Sequence, residues 1–190
     1  MPDILIKFLL FGGLCLPGLL AAEPEIELKN PVPAVDIKTY ATHMFLTASI
    51  GVACEIIFTA LYDFVATKNP HLRGYTYVWM LALYASIYPL HRAIYPKIAH
   101  WRAPLRYALY VSMIYASEYT SGRLLRSLLG SAPWEQHYQG QPWAVHDLIR
   151  LDYAPAWFAA AFLFEDVCNT LNKKLSTQTL SDPAQVLLRS

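Results

Sequence analysis

Along this chain the apolar positions gather into long blocks rather than alternating with polar ones. The blocks cover 40–66, 75–95, 105–129 and 154–171. No period-two alternation persists in any of them, so helices rather than strands are predicted. A helix crosses the hydrocarbon core of a bilayer in roughly 20 residues, and each block is near that length. Tyrosine and tryptophan collect near the block ends (Tyr40, Tyr75, Tyr95, Trp101, Tyr107, Trp143, Tyr153 and Trp157), as an interfacial belt does. The pattern predicts an all-α polytopic membrane protein: a four-transmembrane-helix bundle with a long, partly inserted loop between helices 3 and 4. A soluble helical bundle is the other reading, but four such runs leave little polar surface to solvate it.

The flanks divide the chain further. Residues 1–22 carry a lysine, an apolar centre broken by Gly and Pro, and small residues before an acidic stretch. This reads as a secretory signal peptide cleaved near Ala22, or as an extra apolar span. Residues 23–39, with Pro31 and Pro33, read as a polar linker, 40–171 as the membrane domain and 172–190 as a polar tail. Orientation is contested. A cleaved signal places the loop after the second span outside, yet that loop holds Arg92, Lys97, Arg102 and Arg106, and positive residues favour the cytoplasmic side.

Composition sharpens the membrane reading. Only 15% of the 190 residues are charged, against about 25% in soluble domains, while 55% are hydrophobic. A net charge of +1 supplies no basic field, so nucleic acid is excluded as a partner. Cys15, Cys54 and Cys168 form no CxxC pair, so neither a zinc ribbon nor a disulfide framework is indicated. The lipid bilayer is the expected partner, and the plasma membrane (the inner membrane if the source is bacterial) the expected location.

Charges inside apolar blocks are costly and are functional by default. Three blocks hold a glutamate with small residues on its face, which permits close helix approach. Gly51, Glu55 and Thr59 share one face, with Tyr62 and Asp63 below. Tyr115, Glu118, Gly122 and Arg126 share another. Ala161, Glu165, Cys168, Asn169 and Asn172 share the third. Convergence of the three faces on one interior polar site is therefore expected, with Arg126 and Arg150 as counter-charges. Arg126 lies two turns from Glu118, about 12 Å in rise, so Arg150 from the following loop is the better partner for it. A paired ion lattice that only fixes packing is the alternative. The second block offers Tyr77, Tyr84, Tyr88 and Tyr95 with His91 and Arg92, read as packing, and a kink is expected at Pro89.

The segment 130–153 is long for a turn and rich in Trp, His and acids, which suits a loop folded back onto the bundle mouth. Arg150 and Asp152 read as a gate or a headgroup contact. Glu135, His137, His146 and Asp147 match no metal-ligand spacing, and no cofactor is indicated. The chain lacks GxxxxGK[ST], so ATP-driven work needs a separate ATPase or other membrane subunit. GxSxG and HExxH are also absent. "ACE" at 53–55 and "ASE" at 116–118 are a weak internal echo.

The motifs "CEIIFTALYDF", "VWMLALYASIYPLHRAIY", "EYTSG", "APWE" and "LIRLDYAPAWF…FE", in this order, resemble the transmembrane protein 229 family. Its bacterial members carry a type IV ABC-transporter membrane label. The resemblance runs over 40–171 and implies four spans, with Glu55, Glu118, Gly122, Pro133, Trp134 and Glu165 at motif positions. Ala132 stands where the family often has cysteine, which argues against a thiol role there. The functional expectation is a buried carboxylate–arginine site that binds or transports a small polar or ionic substrate, drawn from Glu55, Glu118, Glu165, Arg126, Arg150, Asp152 and Trp134. A membrane-embedded enzyme on lipid headgroups and a non-catalytic helper subunit are the other two readings.

Overall fold

The computed structural model describes residues 35–181, with side chains as far as Lys174. The expected signal segment 1–22, most of the 23–39 linker and the end of the tail lie outside the described residues. What is described is mostly helical, so the all-α class holds. Helix α1 spans Ile37–Thr67, α2 Trp79–Ala85, α3 Ile87–Ile98, α4 Ala103–Leu129 and α5 Ala154–Ser181. Between α4 and α5 lie a 3-10 turn at Glu135–His137, strands β1 (Ala144–Val145) and β2 (Ile149–Arg150), and a second 3-10 turn at Leu151–Tyr153.

Helix α1 begins where local chemistry starts it. The Asp36 carboxylate accepts from the N–H groups of Lys38 and Thr39 at 2.9 and 3.1 Å, satisfying donors that have no intrahelical partner. It ends at Lys68, whose left-handed backbone (φ 59°) turns its N–H back onto the Phe64 carbonyl. At 31 residues the helix is about 46 Å long, ample for a bilayer core. Among the described residues α1 is the one helix both long and apolar enough to cross a membrane alone.

The second apolar block, 75–95, is not one helix. Residues 75–78 precede the helical structure, and the helix then breaks at Ser86 into α2 and α3. Pro89 explains the place of the break. It has no N–H for the Ala85 carbonyl, and its ring crowds that carbonyl one turn back. The Ser86 hydroxyl turns inward to the Leu83 carbonyl at 2.6 Å. Helix α3 continues through Pro96 to Ile98, past the expected end. At the other end of the chain α5 runs on past Leu171 to Ser181.

The described residues fall into two compact units. The first is Ile98–Leu163, that is, α4, the β-ribbon segment and the start of α5. Its helices meet where the Tyr107 ring, almost fully buried, packs edge-on against Phe162 at 6.2 Å. The second comprises 35–97 and 164–181. Here α1 and α2 approach so closely that a Cβ on Gly51 would overlap the Tyr84 ring, and the connection between them lies so close to α1 that a Cβ on Gly74 would overlap the Ile56 carbonyl. Tyr84 in turn stacks on Phe164 of α5, with ring centroids 6.3 Å apart. Gly51 thus sets the spacing of α1 and α2.

Candidate polar site on helix α4

Helix α4 carries the first unit's polar site. It starts with Pro104 in its first turn, where no donor is lost, and stops at Gly130 in the left-handed region (φ 87°). Glu118 sits near its middle and is only 6% exposed. The Tyr138 hydroxyl donates to its Oε1 at 2.8 Å, and Tyr138 is itself buried. Burial pushes the Tyr138 phenol well above the ordinary tyrosine range, and the neighbouring carboxylate pushes the same way.

Tyr138 reaches Glu118 because the whole segment 130–153 lies on α4. Trp134 is buried, and its indole N–H donates to the Leu148 carbonyl at 3.0 Å. Gly122 makes room for both: a Cβ there would lie 2.8 Å from Leu148 Cδ2 and 3.2 Å from Trp134 Cζ2. The Tyr115 hydroxyl, on the Glu118 face, holds the carbonyls of Arg150 and Leu151 at 3.1 Å each. β1 and β2 pair antiparallel, Ala144 with Arg150 and Val145 with Ile149, around a tight turn at His146 and Asp147. Both turn residues take positive φ (52° and 58°), as a hairpin of this hand requires.

The two arginines each have a carboxylate partner in this segment. Arg126 turns to Glu135 (Nε to Oε2, 3.0 Å) and to the His146 carbonyl (2.7 Å). Glu135 also accepts from the Ala132 N–H at 2.9 Å; that bond first, and Arg126 second, hold its carboxyl below the usual glutamate range. Arg150 forms a two-bonded pair with Asp152, Nε to Oδ1 at 3.0 Å and Nη2 to Oδ2 at 2.5 Å. Both side chains are 5% exposed. The Arg150 guanidinium lies 4.4 Å from the Tyr153 ring centroid, and Tyr153 meets Tyr138 edge-on at 6.0 Å. A continuous series thus runs from Glu118 through Tyr138 and Tyr153 to Arg150 and Asp152.

This unit brings together Glu118, Arg126, Trp134, Arg150 and Asp152 from the sequence-derived set. Glu55 and Glu165 belong to the other unit and have their own settings. Glu55 is half-buried on α1 and accepts from the Thr76 hydroxyl at 2.9 Å. Glu165 is buried on α5, one turn before the fully buried Cys168. Among the described residues no three His, Cys, Asp or Glu side chains come together as metal ligands.

Two contributors escaped the sequence reading. Tyr138 was one polar aromatic in a mixed segment, and nothing local marks it as the donor to a glutamate twenty residues upstream. Tyr119 is the other: its hydroxyl holds His146 Nδ1 at 2.8 Å on the exposed side of the same segment. A tyrosine beside a buried acid on a helix is the one signal that pointed toward it. The chain matches no family model, and no solved structure matches it.

Proposed function

We propose that this chain is an integral membrane protein of four spans whose buried carboxylates bind, and in a transport cycle pass on, a small polar or ionic substrate. One observation carries the reading. Glu118 is almost completely buried at the centre of α4, while Leu105, Leu124 and Leu128 on the same helix are 58%, 59% and 68% exposed. A helix that is polar within and apolar without is matched to lipid rather than water. On α1, Phe45 and Ile57 are likewise more than half exposed. The spans are α1, the broken pair α2–α3, α4 and α5. A helix broken within a span frees backbone groups that a transporter can use to hold its substrate. The ordered motifs that resemble those of the transmembrane protein 229 family support the same span count. Any coupling to ATP needs a separate ATPase subunit.

A second reading, an enzyme on lipid headgroups, is favoured by one specific feature. Tyr119 orients the exposed His146 ring, and Arg126 clamps the His146 carbonyl from behind. An oriented imidazole at the edge of a polar segment is what general acid–base chemistry needs.

Reporter fusions after residues 70, 100 and 140, with alkaline carbonate extraction, test the membrane part. Alternating sides and a pellet-bound protein are expected; a protein released by carbonate overturns it. Detergent-purified protein titrated with sodium and potassium salts and with acid tests the site. A thermal shift that disappears in Glu118→Gln supports solute binding. An unaltered response in that variant, with loss in His146→Asn of hydrolysis of a phospholipid panel, favours the enzyme.

A further inference from the structure

The hairpin tip of the segment 130–153 is held against α4 at two points, and both belong to one residue. The Tyr119 hydroxyl meets His146 Nδ1 at 2.8 Å, and Arg126 Nη2 donates to the His146 carbonyl at 2.7 Å. Tyr119 and Arg126 lie two turns apart on α4. Arg123 stands between them, one turn from each, and so on the same face of the helix. It therefore springs from the stripe of α4 over which His146 is pinned. Arg126 is engaged by Glu135 and by the His146 carbonyl. Arg123 is exposed and makes no hydrogen bond or ion pair among the described residues.

The residues at the tip are themselves unusual. Left-handed turn positions are most often filled by glycine or asparagine, yet His146 and Asp147 hold φ 52° and 58°. A histidine kept in such a conformation points to a use for its ring. Tyr119 fixes that ring by one nitrogen and leaves Nε2, on the opposite edge, for another partner. With the hydroxyl donating to Nδ1, the ring proton stands on Nε2 and makes it a donor. An oriented imidazole N–H and an unmatched guanidinium thus share one exposed rim.

We infer that Arg123 and the His146 ring form a binding site for a phosphate group. Guanidinium N–H groups fit phosphate oxygens in pairs, and the imidazole adds a donor from the hairpin side. A phosphate also supplies the negative charge that Arg123 lacks opposite it. Depth suits this ligand. Arg123 lies six residues before Leu129, the end of α4, about 9 Å in rise, and a side chain this long reaches past the end of an apolar span. Glu135 and Asp147 are acids of the same neighbourhood. Glu135 is already matched by Arg126, so Asp147 is the charge that an incoming anion must tolerate. The phosphate is either free in solution or carried by a lipid headgroup, and the chemistry is shared. The site is independent of Glu118. Its lipid form rests on the membrane reading, and there it supplies the anion-holding residue of the headgroup enzyme.

Calorimetric titration of the full chain in detergent tests the site, once with sodium phosphate and once with dioleoylphosphatidylglycerol in mixed micelles. The references are sodium chloride and dioleoylglycerol, which lacks the phosphate. Saturable binding is expected, weakened at least about tenfold in Arg123→Gln and in His146→Asn, the loss of one hydrogen bond to a charged group. Asparagine accepts the left-handed backbone, so His146→Asn keeps the turn. Asp147→Asn is expected to bind at least as tightly as the wild type. Lys97→Gln, which removes an exposed cation in the last turn of α3, is expected to bind equally. Binding of inorganic phosphate assigns a free solute; binding of phosphatidylglycerol alone assigns a lipid headgroup. Turnover is not read, so a protein that binds phosphate without hydrolysing phospholipid sinks the enzyme reading and upholds the site. Binding of neither ligand, wild-type affinity in Arg123→Gln, weaker binding in Asp147→Asn, or equal weakening in Lys97→Gln overturns it.

Discussion

The Tyr138 hydroxyl donates to the Glu118 carboxylate at 2.8 Å, and both side chains are at least nine-tenths buried. This bond fastens the segment 130–153 to the middle of α4. Removing the hydroxyl in Tyr138→Phe strips a buried carboxylate of a donor and is expected to destabilise the fold by about 1.5–3 kcal/mol. Glu118→Gln keeps an acceptor and is expected to cost less. A double-mutant cycle read by thermal or denaturant unfolding in detergent should give a coupling of about 0.5–3 kcal/mol. Strict additivity would show that the two residues do not hold one another.

Gly122 is the second fastening point. Gly122→Ala drives a methyl group into Leu148 and Trp134, and overpacking of this kind costs about 1–3 kcal/mol. The segment should lift, so proteolysis at Gln139–Gly140 in intact membranes should accelerate. Gly130→Ala is the control. Its Cβ meets nothing, but the residue must hold φ 87°, so a helix-end loss without faster cleavage at Gly140 is expected.

Acid should loosen the same segment through Glu135. Its carboxyl is held below the usual glutamate range by the Ala132 N–H and then by Arg126. A carboxyl depressed in the folded state stabilises fully above its unfolded pKa, about 4.3, and the contribution is lost as pH falls through the lower folded value. Protease sensitivity should therefore rise below about pH 4.3, and Glu135→Gln should flatten that limb. Tyr138 acts at the other extreme. Its raised pKa keeps its contribution intact below the unfolded tyrosine value near 10, and it fades as pH climbs toward the folded one. Tyr138→Phe should remove that alkaline limb.

In the second unit the spacing of α1 and α2 rests on Gly51. A Cβ there overlaps the Tyr84 ring at its root, where the side chain has no freedom to move away. Gly51→Ala should cost about 1–3 kcal/mol, visible as a lower midpoint in detergent. Tyr84→Phe should not rescue it, because the clash is with ring carbons. Rescue by Tyr84→Ala would fit the geometry; rescue by Tyr84→Phe would contradict it.

The sequence by itself determined which stretches are helical. Long apolar runs without period-two alternation have one backbone solution, and helices at Ile37–Thr67 and Ala103–Leu129 follow closely from blocks 40–66 and 105–129. It also marked Glu118 as a buried acid, since a charge amid apolar neighbours needs a reason, and Gly122 as a point of close approach. Pro89 announced a disruption of the second block, though its clash acts one turn back and so the break appears at Ser86. Pairings were another matter. The partner of an acid on one element is set by how distant chain segments pack, and no local pattern encodes that. Tertiary structure alone therefore gave the bonds from Tyr138 to Glu118, Arg126 to Glu135 and Arg150 to Asp152. The same holds for His43. In sequence it is one histidine near a helix start; only packing against Tyr88 buries its ring and leaves Nδ1 without a partner.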